Sequence, residues 1–336
     1  MTRTRRMLLA ATAASLMALG AARAGEITVY TSLEEDDAKI YLEAFNKVEP
    51  DIKVNMLRLS TGDLGARMLA EKSNPQHDVI WGWAVTQMVD PRIMEMLEPY
   101  SPKGIDQVKT SFKDPGGKWF ATTGYFAAFC VNTEVLEKNG LPMPSSWQDL
   151  LNPAYKGQLI MPNPASSGTG YLQISSILQM KGEEEGWKFP QELDKNMGQY
   201  IKSGSKPCKL TRVGEYAVGA SFAFIAVKSI AKGYPIKMVI PAEGAGYEME
   251  VSGLMKTSGN KEDAKKFLDW LLTPEAAKLY GERAAMTVVP GAVQTPIARE
   301  AGIPADVSTV LYDMDFKWSA ENKARIVAKW KEMFER

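Results

Sequence analysis

Histidine, cysteine and long apolar runs are scarce in this sequence, and each shortage argues against a class of function. His77 is the one histidine among 336 residues, which argues against a histidine-based catalytic triad and against a zinc site built from several histidines. We expect His77 to lie at the surface, in a loop before a strand. The sequence also lacks a nucleophile elbow, a phosphate-binding P-loop, a dinucleotide fingerprint and a CxxC pair. We therefore predict a protein that is not an enzyme and carries no cofactor or metal.

The first 24 residues have the pattern of a secretory signal peptide. A basic start is followed by the apolar run Met7–Leu19 and by a small-residue cleavage site ending at Ala24. The run is shorter than the ~20 apolar residues of a membrane-spanning helix, and no later run is longer. The pair Arg5-Arg6 leaves twin-arginine export open beside the ordinary secretory route. No cysteine stands at the cleavage site, so we expect a free protein without a lipid anchor.

The charge balance argues against a nucleic-acid partner. Removal of residues 1–24 takes four of the 40 basic residues and none of the 40 acidic residues, so 36 basic residues remain. A mildly acidic protein has no excess of positive charge with which to bind phosphate backbones. The remaining chain, at about 100–200 residues per domain, is long enough for two lobes.

The two cysteines, Cys130 and Cys208, would reach an oxidising compartment if the chain is exported. A disulfide between them would close a loop of about 80 residues and contribute about 3–5 kcal/mol to stability. Two buried thiols are the alternative, and the sequence leaves both open.

Strands and helices alternate in the first third of the chain. The predicted strands are Glu26–Tyr30, Ile52–Leu57 and Asp78–Gly82, and the predicted helices are Asp36–Val48 and Leu64–Lys72. This alternation predicts a parallel sheet covered by helices on both faces. Ligands of such sheets lie beyond the carboxyl ends of the strands, where this chain has Thr31-Ser32, Ser60-Thr61 and Trp81.

Two extended runs predict crossings between the lobes. Trp119–Val131 leads into a second lobe and Tyr247–Met255 leads back. Between them we predict the strands Leu159–Met161, Gly214–Ser221 and Ile236–Ile240, a helical stretch up to Ile201 and the helix Ala223–Lys232. Residues 25–120 and 252–336 then form the first lobe, and residues 121–251 form the second with the hinge strands. The amphipathic helix Ser319–Phe334 is expected on the outside of the first lobe.

The stretch Pro162–Gly170 has the composition of an oxyanion site. It follows the strand Leu159–Met161 and supplies Ser166, Ser167 and Thr169 beside Gly168 at the start of a helix. Glycines allow a ligand to approach the backbone N–H groups there. One hydroxyl at a helix start is usually a cap. Three hydroxyl clusters at matching strand ends, Thr31-Ser32, Ser60-Thr61 and Ser166–Thr169, favour a site for a phosphate or phosphonate between the lobes.

Acidic and aromatic residues near other strand ends could bind a small cationic group. The acids are Glu34, Glu248 and Glu250, and the aromatic residues are Trp81, Tyr125 and Phe222. Each acid taken singly is more typical of a solvated surface carboxylate. For the aromatic residues, core packing is the ordinary expectation, except at Tyr125 and Phe222.

Three segments carry a resemblance to a known family. They are Leu57–Leu64 (LRLSTGDL), Met161–Gly170 (MPNPASSGTG) and Ser203–Lys209 (SGSKPCK). Over essentially the whole mature chain, the sequence resembles periplasmic solute-binding proteins of ABC importers, of the type II fold that includes the ferric-ion binders. Within that superfamily it looks most like the 2-aminoethylphosphonate-binding branch.

Two departures modify what the resemblance implies. Ferric binders have adjacent tyrosines after the strand that contains Gly214–Gly219, whereas this chain has Ser221-Phe222-Ala223-Phe224, which argues against iron. The aminophosphonate branch tends to have an acid and then Tyr-Arg after Ser-Phe, whereas here Ala223-Phe224-Ile225 follow. If that acid contacts the ligand amine, this chain uses another carboxylate or binds a different phosphonate or phosphorylated solute.

The resemblance implies an α/β, two-lobed type II binding fold with a hinge of crossing strands and a ligand cleft between the lobes. We expect a monomer in the periplasm that captures a small anionic or zwitterionic solute, with 2-aminoethylphosphonate as first candidate, and delivers it to a permease in the inner membrane. The expected ligand-binding residues are Thr31, Ser32, Glu34, Ser60, Thr61, Trp81, Tyr125, Ser166, Ser167, Gly168, Thr169, Ser221, Phe222 and Glu250.

Other readings remain open at this point. The same fold could bind another organophosphate, iron or a polyamine-type solute, or could present its ligand to a sensor kinase. A secreted phosphoesterase is a rival from another class, but it would need a metal cluster or an activated nucleophile.

Overall fold

The computed structural model describes residues 25–335, so the predicted signal peptide lies outside the described part. The strands are β1 (Gly25–Thr31), β2 (Ile52–Arg58), β3 (Val79–Ala84), β4 (Leu97–Glu98), β5 (Phe120–Asn132), β6 (Leu159–Pro162), β7 (Met197–Ile201), β8 (Val218–Phe222), β9 (Ile236–Val239), β10 (Tyr247–Met255) and β11 (Met286–Thr287). The helices are α1 (Glu35–Val48), α2 (Thr61–Ala70), α3 (Val85–Met88), α4 (Pro91–Met94), α5 (Thr133–Asn139), α6 (Gly168–Lys181), α7 (Glu183–Asp194), α8 (Lys206–Thr211), α9 (Ala223–Ala231), α10 (Lys261–Trp270), α11 (Pro274–Arg283), α12 (Pro296–Glu300) and α13 (Phe316–Phe334). Within residues 25–335, none of the helices has the length and apolar character needed to span a bilayer.

The first lobe is built on the parallel strands β2-β1-β3, which antiparallel β10 joins to β5. One face of β1 is buried through Ile27 against Phe45 of α1 and Phe267 of α10. The other face is buried through Tyr30, which belongs to the same apolar cluster as Leu64 of α2. Helices cover both faces, and this explains why these strands are so apolar.

The second lobe shares β5 with the first. The first part of β5 pairs with β10, whereas Ala127–Val131 pair with β8 and Phe129–Asn132 pair with β9. The parallel strands β6 and β7 lie beyond β8. The sheet is thus divided into two lobes joined by β5 and β10, the crossing strands predicted from the sequence. The predicted sequence boundaries of the lobes stay a prediction.

A disulfide joins Cys130 of β5 to Cys208 of α8, with a Cα–Cα distance of 5.3 Å and a sequence separation of 78 residues. Both cysteines are fully buried. The bond therefore fixes α8 against the central strand of the second lobe, and of the two alternatives left open by the sequence the structure has the disulfide.

The C-terminal helix α13 packs against the second lobe, although the sequence suggested the first. Ile326 and Trp330 share an apolar cluster with Tyr171 of α6 and Trp187 of α7, and the Tyr171 hydroxyl donates a hydrogen bond to the Ser319 carbonyl oxygen. The helix also approaches α3 of the first lobe. Amphipathic spacing shows that one face of a helix is buried, but it does not identify the element that covers that face.

Two local expectations differ from the structure. Met197–Ile201 form a strand that pairs with β6, where the sequence suggested the end of a helical stretch. His77 is 3% exposed and stacks on the ring of Tyr30 at 4.1 Å between centroids, where a surface position was expected. Burial lowers the pKa of His77 to about 4, so this histidine is a neutral packing residue near pH 7.

Candidate functional site

A cavity of about 70 Å³ lies between the two lobes, and we call it the ligand cavity. Its walls come from the carboxyl ends of β1 and β2, the starts of α1, α2 and α6, the hinge strands β5 and β10, and the end of α11. The lining residues are Ser32, Leu33, Glu34, Asp37, Tyr41, Arg58, Ser60, Thr61, Gly124, Tyr125, Ser167, Gly168, Thr169, Gly204, Phe222, Phe224, Ile225, Glu250, Arg283, Ala284 and Ala285. The cavity is therefore at the edge where ligands of such sheets bind.

The second lobe contributes the start of α6. Ser167 caps this helix, since its hydroxyl oxygen accepts a hydrogen bond from the Gly170 N–H at 3.3 Å. The N–H groups of Gly168 and Thr169 are in the first turn, where no earlier carbonyl of the helix can accept them. A Cβ at Gly168 would lie 2.7 Å from the Thr61 hydroxyl oxygen. Only glycine allows this close approach of the two lobes.

The first lobe contributes Ser32, Ser60 and Thr61. Ser60 stands at the N-cap position of α2, but its side chain makes no capping bond. The Ser32 hydroxyl donates to the Gly82 carbonyl oxygen at 3.2 Å. Because the Ser60 hydroxyl is not used as a cap and lines the cavity, helix capping does not account for this serine, and it remains available to a ligand.

The lobes touch beside the cavity, so the structure is in a closed arrangement. The Gly62 N–H of α2 donates to the Ser166 carbonyl oxygen at 2.8 Å. Glu34 of the first lobe also pairs with Lys209 of α8 at 2.8 Å. These contacts bring the hydroxyl clusters of the two lobes to opposite walls of one cavity.

Two arginines line the cavity beside carboxylates. Arg58 contacts Glu34 at 3.2 Å, and its Nε donates to the Leu33 carbonyl oxygen. Arg283 contacts Asp37 at 3.3 Å, but its Nε is buried without a hydrogen-bond partner among the described residues. Burial raises the pKa of Asp37, against the opposing effect of Lys228. Arg283 thus lines the cavity with one N–H, at Nε, that has no acceptor among the described residues.

Glu250 is the carboxylate of the cavity that has no basic partner among residues 25–335. It accepts a hydrogen bond from the Thr123 hydroxyl, and desolvation raises its pKa to about 7, with the nearby charges of Asp37 and Glu34 acting in the same direction. The ring of Tyr125 lies beside that of Phe222, with 5.6 Å between centroids. A carboxylate next to aromatic rings is a suitable environment for an amine.

Ten of the fourteen residues expected at the site line the ligand cavity, and four do not. Thr31 is buried, and its hydroxyl oxygen accepts from the Leu33 N–H. Trp81 is 1% exposed and packs against Tyr41 and Phe267 in the core. The Ser221 hydroxyl donates to the Gly204 carbonyl oxygen.

The fourth of these residues, Ser166, donates its hydroxyl to the Lys202 carbonyl oxygen. Its backbone oxygen accepts the Gly62 N–H described above. Ser166 therefore contributes to the contact between the lobes and does not face the cavity.

Sequence reasoning did not find Asp37, Tyr41, Arg58, Gly204 and Arg283 as cavity residues. Arg58 and Gly204 lie within segments that carry the family resemblance, and that resemblance could have identified them as site residues. Asp37 and Arg283 come from α1 and α11, at opposite ends of the first lobe's sequence, and only the packing of these helices brings them together. Within residues 25–335, no group of three or more His, Cys, Asp or Glu side chains could hold a metal ion.

Comparison with known proteins identifies the class. A model of the family described as bacterial extracellular solute-binding protein matches residues 92–318. The chain belongs to this family, because the match covers more than half of its length.

Individual relatives agree with this assignment. An uncharacterized protein of Haemophilus influenzae is 31% identical over 331 residues, which are 95% of this chain and 93% of the relative. The probable ABC transporter periplasmic-binding protein y4fP of Sinorhizobium fredii is 26% identical over 81% of this chain and 77% of its own. The periplasmic binding protein AfuA of Actinobacillus pleuropneumoniae, solved with exogenous fructose-6-phosphate bound, superimposes with a TM-score of 0.85 at 30% identity, over 93% of this chain and 99% of AfuA. The predicted two-lobed α/β binding-protein fold is confirmed.

Proposed function

We propose that this protein is the periplasmic solute-binding component of an ABC importer and that it captures a small phosphonate or phosphate ester, with 2-aminoethylphosphonate as first candidate. In this proposal it is exported through a cleaved signal peptide, works as a monomer and delivers its ligand to a permease in the inner membrane. The family and the name of the Sinorhizobium relative support the transport role. The two lobes, residues 25–120 with 252–336 and residues 121–251, would close by hinge bending.

The single observation that carries the proposed ligand class is the set of donors around the ligand cavity. Hydroxyls of Ser60 and Thr61 face the start of α6 across it, and the buried Nε of Arg283 has no partner among the described residues. Hydroxyls, first-turn N–H groups and a guanidinium together suit a tetrahedral oxyanion. Since the donors come from both lobes, the anion would favour the closed arrangement.

The proposed amine site is Glu250 with Tyr125 and Phe222. An ammonium group beside Glu250 would supply the positive charge that this carboxylate lacks among the described residues, and would thereby lower its pKa from about 7. The aminophosphonate branch tends to have an acid where this chain has Ala223. In this assignment Glu250 of β10 would supply the carboxylate in its place.

The size of the cavity favours a compact ligand. A volume of about 70 Å³ has room for roughly five water molecules, at ~10–15 Å³ for each. A two-carbon aminophosphonate is of that size, whereas a hexose phosphate would require the lobes to separate further.

Isothermal titration tests the proposal with four ligands: 2-aminoethylphosphonate, ethylphosphonate, inorganic phosphate and fructose 6-phosphate. The expected result is tight one-to-one binding of 2-aminoethylphosphonate and at least tenfold weaker binding of ethylphosphonate, which lacks the amine. Failure of every phosphonate and phosphate to bind would contradict the proposed ligand class.

A sugar phosphate is the second candidate, and the likeness to AfuA with fructose-6-phosphate bound favours it. The titration separates the two candidates. Tighter binding of fructose 6-phosphate than of 2-aminoethylphosphonate would support the proposed phosphate site. It would also mean that sugar hydroxyls, and not an amine, bind at Glu250.

A further inference from the structure

A second and larger cavity, of about 1000 Å³, lies between the first lobe and the C-terminal helix. We call it the side cavity. Its walls come from α2, the end of β3, α3, α4 and the first half of α13. It shares no lining residue with the ligand cavity. Thr61 lines the ligand cavity and the next residue, Gly62, lines the side cavity.

Most of the side cavity wall is apolar. Leu69 of α2, Trp83 of β3 and Phe316 of α13 contribute large side chains to it. The indole N–H of Trp83 is already satisfied, because it donates to the Thr61 carbonyl oxygen at 3.0 Å. The volume is at the upper end of the range, ~300–1,000 Å³, that small-molecule sites usually have.

One cation of the side cavity forms no ion pair with a described residue. Asp90 pairs with Arg92 at 2.6 Å, and Glu321 lies 3.9 Å from Lys317. Lys323 is half-buried, and within residues 25–335 no acid forms an ion pair with it. Both acids of the wall therefore have basic partners. Lys323 makes no direct ion pair, and the charges of Asp90 and of the buried Glu248 act on it from a greater distance.

Two further donors lack acceptors. Gln87 is 5% exposed, and its side-chain amide makes no hydrogen bond to any described residue. The indole N–H of Trp119 is buried and equally without a partner in this part of the chain. Buried polar groups are normally hydrogen-bonded, and the Trp119 N–H is an exception. The Gln87 amide and the Lys323 ammonium line the cavity, make no hydrogen bond to a described residue and are free to donate to an acceptor there.

We propose that the side cavity is a second binding site, and that it takes a small amphipathic monoanion of the medium-chain carboxylate class. The carboxylate would accept from Lys323 and Gln87, and the hydrocarbon part would cover Trp83, Leu69 and Phe316. Lys323 is the one cation of the wall without an ion pair among the described residues, and this matches a ligand with a single negative charge. An apolar wall of this extent matches an alkyl chain and not a second polar solute.

Titration with octanoate, and with octan-1-ol as the uncharged analogue, tests this site. Octanoate is expected to bind one-to-one, and octan-1-ol at least tenfold more weakly. Lys323→Met should weaken octanoate binding at least tenfold, whereas Lys329→Met, on the same helix but outside the side cavity, should not change it. Ala320→Trp should weaken binding by occupying part of the cavity next to Lys323. For each variant, circular dichroism and a cooperative urea unfolding transition report that the fold is intact.

Several results would overturn the proposal. Equal affinity for octanoate and octan-1-ol would remove the role of Lys323, and so would equal octanoate affinities of the Lys323→Met and Lys329→Met variants. Absence of saturable octanoate binding would remove the site itself. A dimer by analytical ultracentrifugation that Ala320→Trp dissociates would identify a second copy of the chain as the occupant.

Discussion

Thr61 and Ser167 show how the same residue type can serve a ligand or the fold. The Ser167 hydroxyl accepts the Gly170 N–H and so stabilises the start of α6, whereas the Thr61 hydroxyl faces Gly168 across the lobe contact and makes no cap. The sequence marks both as hydroxyls at helix starts. It does not distinguish them, because the difference depends on where the opposite lobe places its backbone.

Thr61→Ala should therefore weaken binding of the phosphonate by about 1–3 kcal/mol, through loss of a hydrogen bond to a charged group, and should leave the free energy of unfolding nearly unchanged. Ser167→Ala should weaken binding and also lower the free energy of unfolding by about 0.5–2 kcal/mol, because it removes a helix cap. Isothermal titration and urea denaturation measure the two quantities. Thr110→Ala, at an exposed position away from the ligand cavity, is the control. An unaltered affinity in the Thr61 variant would mean that the oxyanion is bound elsewhere.

The raised pKa of Glu250 predicts how the free energy of unfolding depends on pH. Desolvation raises the pKa of Glu250 to about 7 and that of Glu248 likewise to about 7, above their unfolded value of 4.5. In this range the folded protein binds more protons than the unfolded chain, so the free energy of unfolding should fall as the pH rises from about 4.5 to 7. Glu250→Gln should make this fall shallower. Denaturation of the unliganded protein at several pH values measures it, and an identical slope in the variant would contradict a raised pKa at Glu250.

At the scale of elements, α2 and α6 meet at their starts, and glycines allow them to do so.

The first third of the chain could be predicted well, because Ile27, Val29 and the other apolar residues of alternating strands and helices repeat with clear periods. The strand Met197–Ile201 could not, because its pairing with Leu159–Pro162 is a contact between distant segments. The same limit applies to α13, whose partner is set by tertiary packing.

Gly62→Ala should hinder closure of the lobes, because a Cβ at this position would lie 2.2 Å from the Ala165 carbonyl oxygen. We expect weaker binding of 2-aminoethylphosphonate and, by small-angle X-ray scattering, a smaller decrease in the radius of gyration on adding it. Gly259→Ala is the control, since a Cβ at Gly259 would have no heavy atom within 4 Å. Equal compaction in both variants would show that the close approach of Gly62 to Ala165 does not limit closure.

At the scale of the whole molecule, two lobes with separate cores share the crossing strands β5 and β10. The sequence predicted this plan, the crossing strands and ten residues of the cavity lining. It did not predict the pairing of Asp37 with Arg283 or the burial of His77 against Tyr30. Both depend on how helices and loops from distant parts of the chain pack against the sheet.

The disulfide also concerns the whole molecule, because it joins the strand β5, which both lobes share, to α8 of the second lobe. Replacing Cys130 and Cys208 together by Ala should lower the free energy of unfolding by about 3–5 kcal/mol, because the unfolded chain loses a constraint over a long loop. Urea denaturation of the variant, and of the original protein with and without reductant, measures the change. If the variant and the unreduced protein unfold at the same urea concentration, the bond does not stabilise the second lobe.

The central claim is that donors from both lobes enclose one tetrahedral oxyanion, and a crystal structure of the protein with 2-aminoethylphosphonate tests it most directly. The account predicts phosphonate oxygens within hydrogen-bond distance of Thr61 in the first lobe and of the Gly168 and Thr169 N–H groups in the second, with the amine at Glu250. A phosphonate bound to one lobe alone, or outside the ligand cavity, would contradict it.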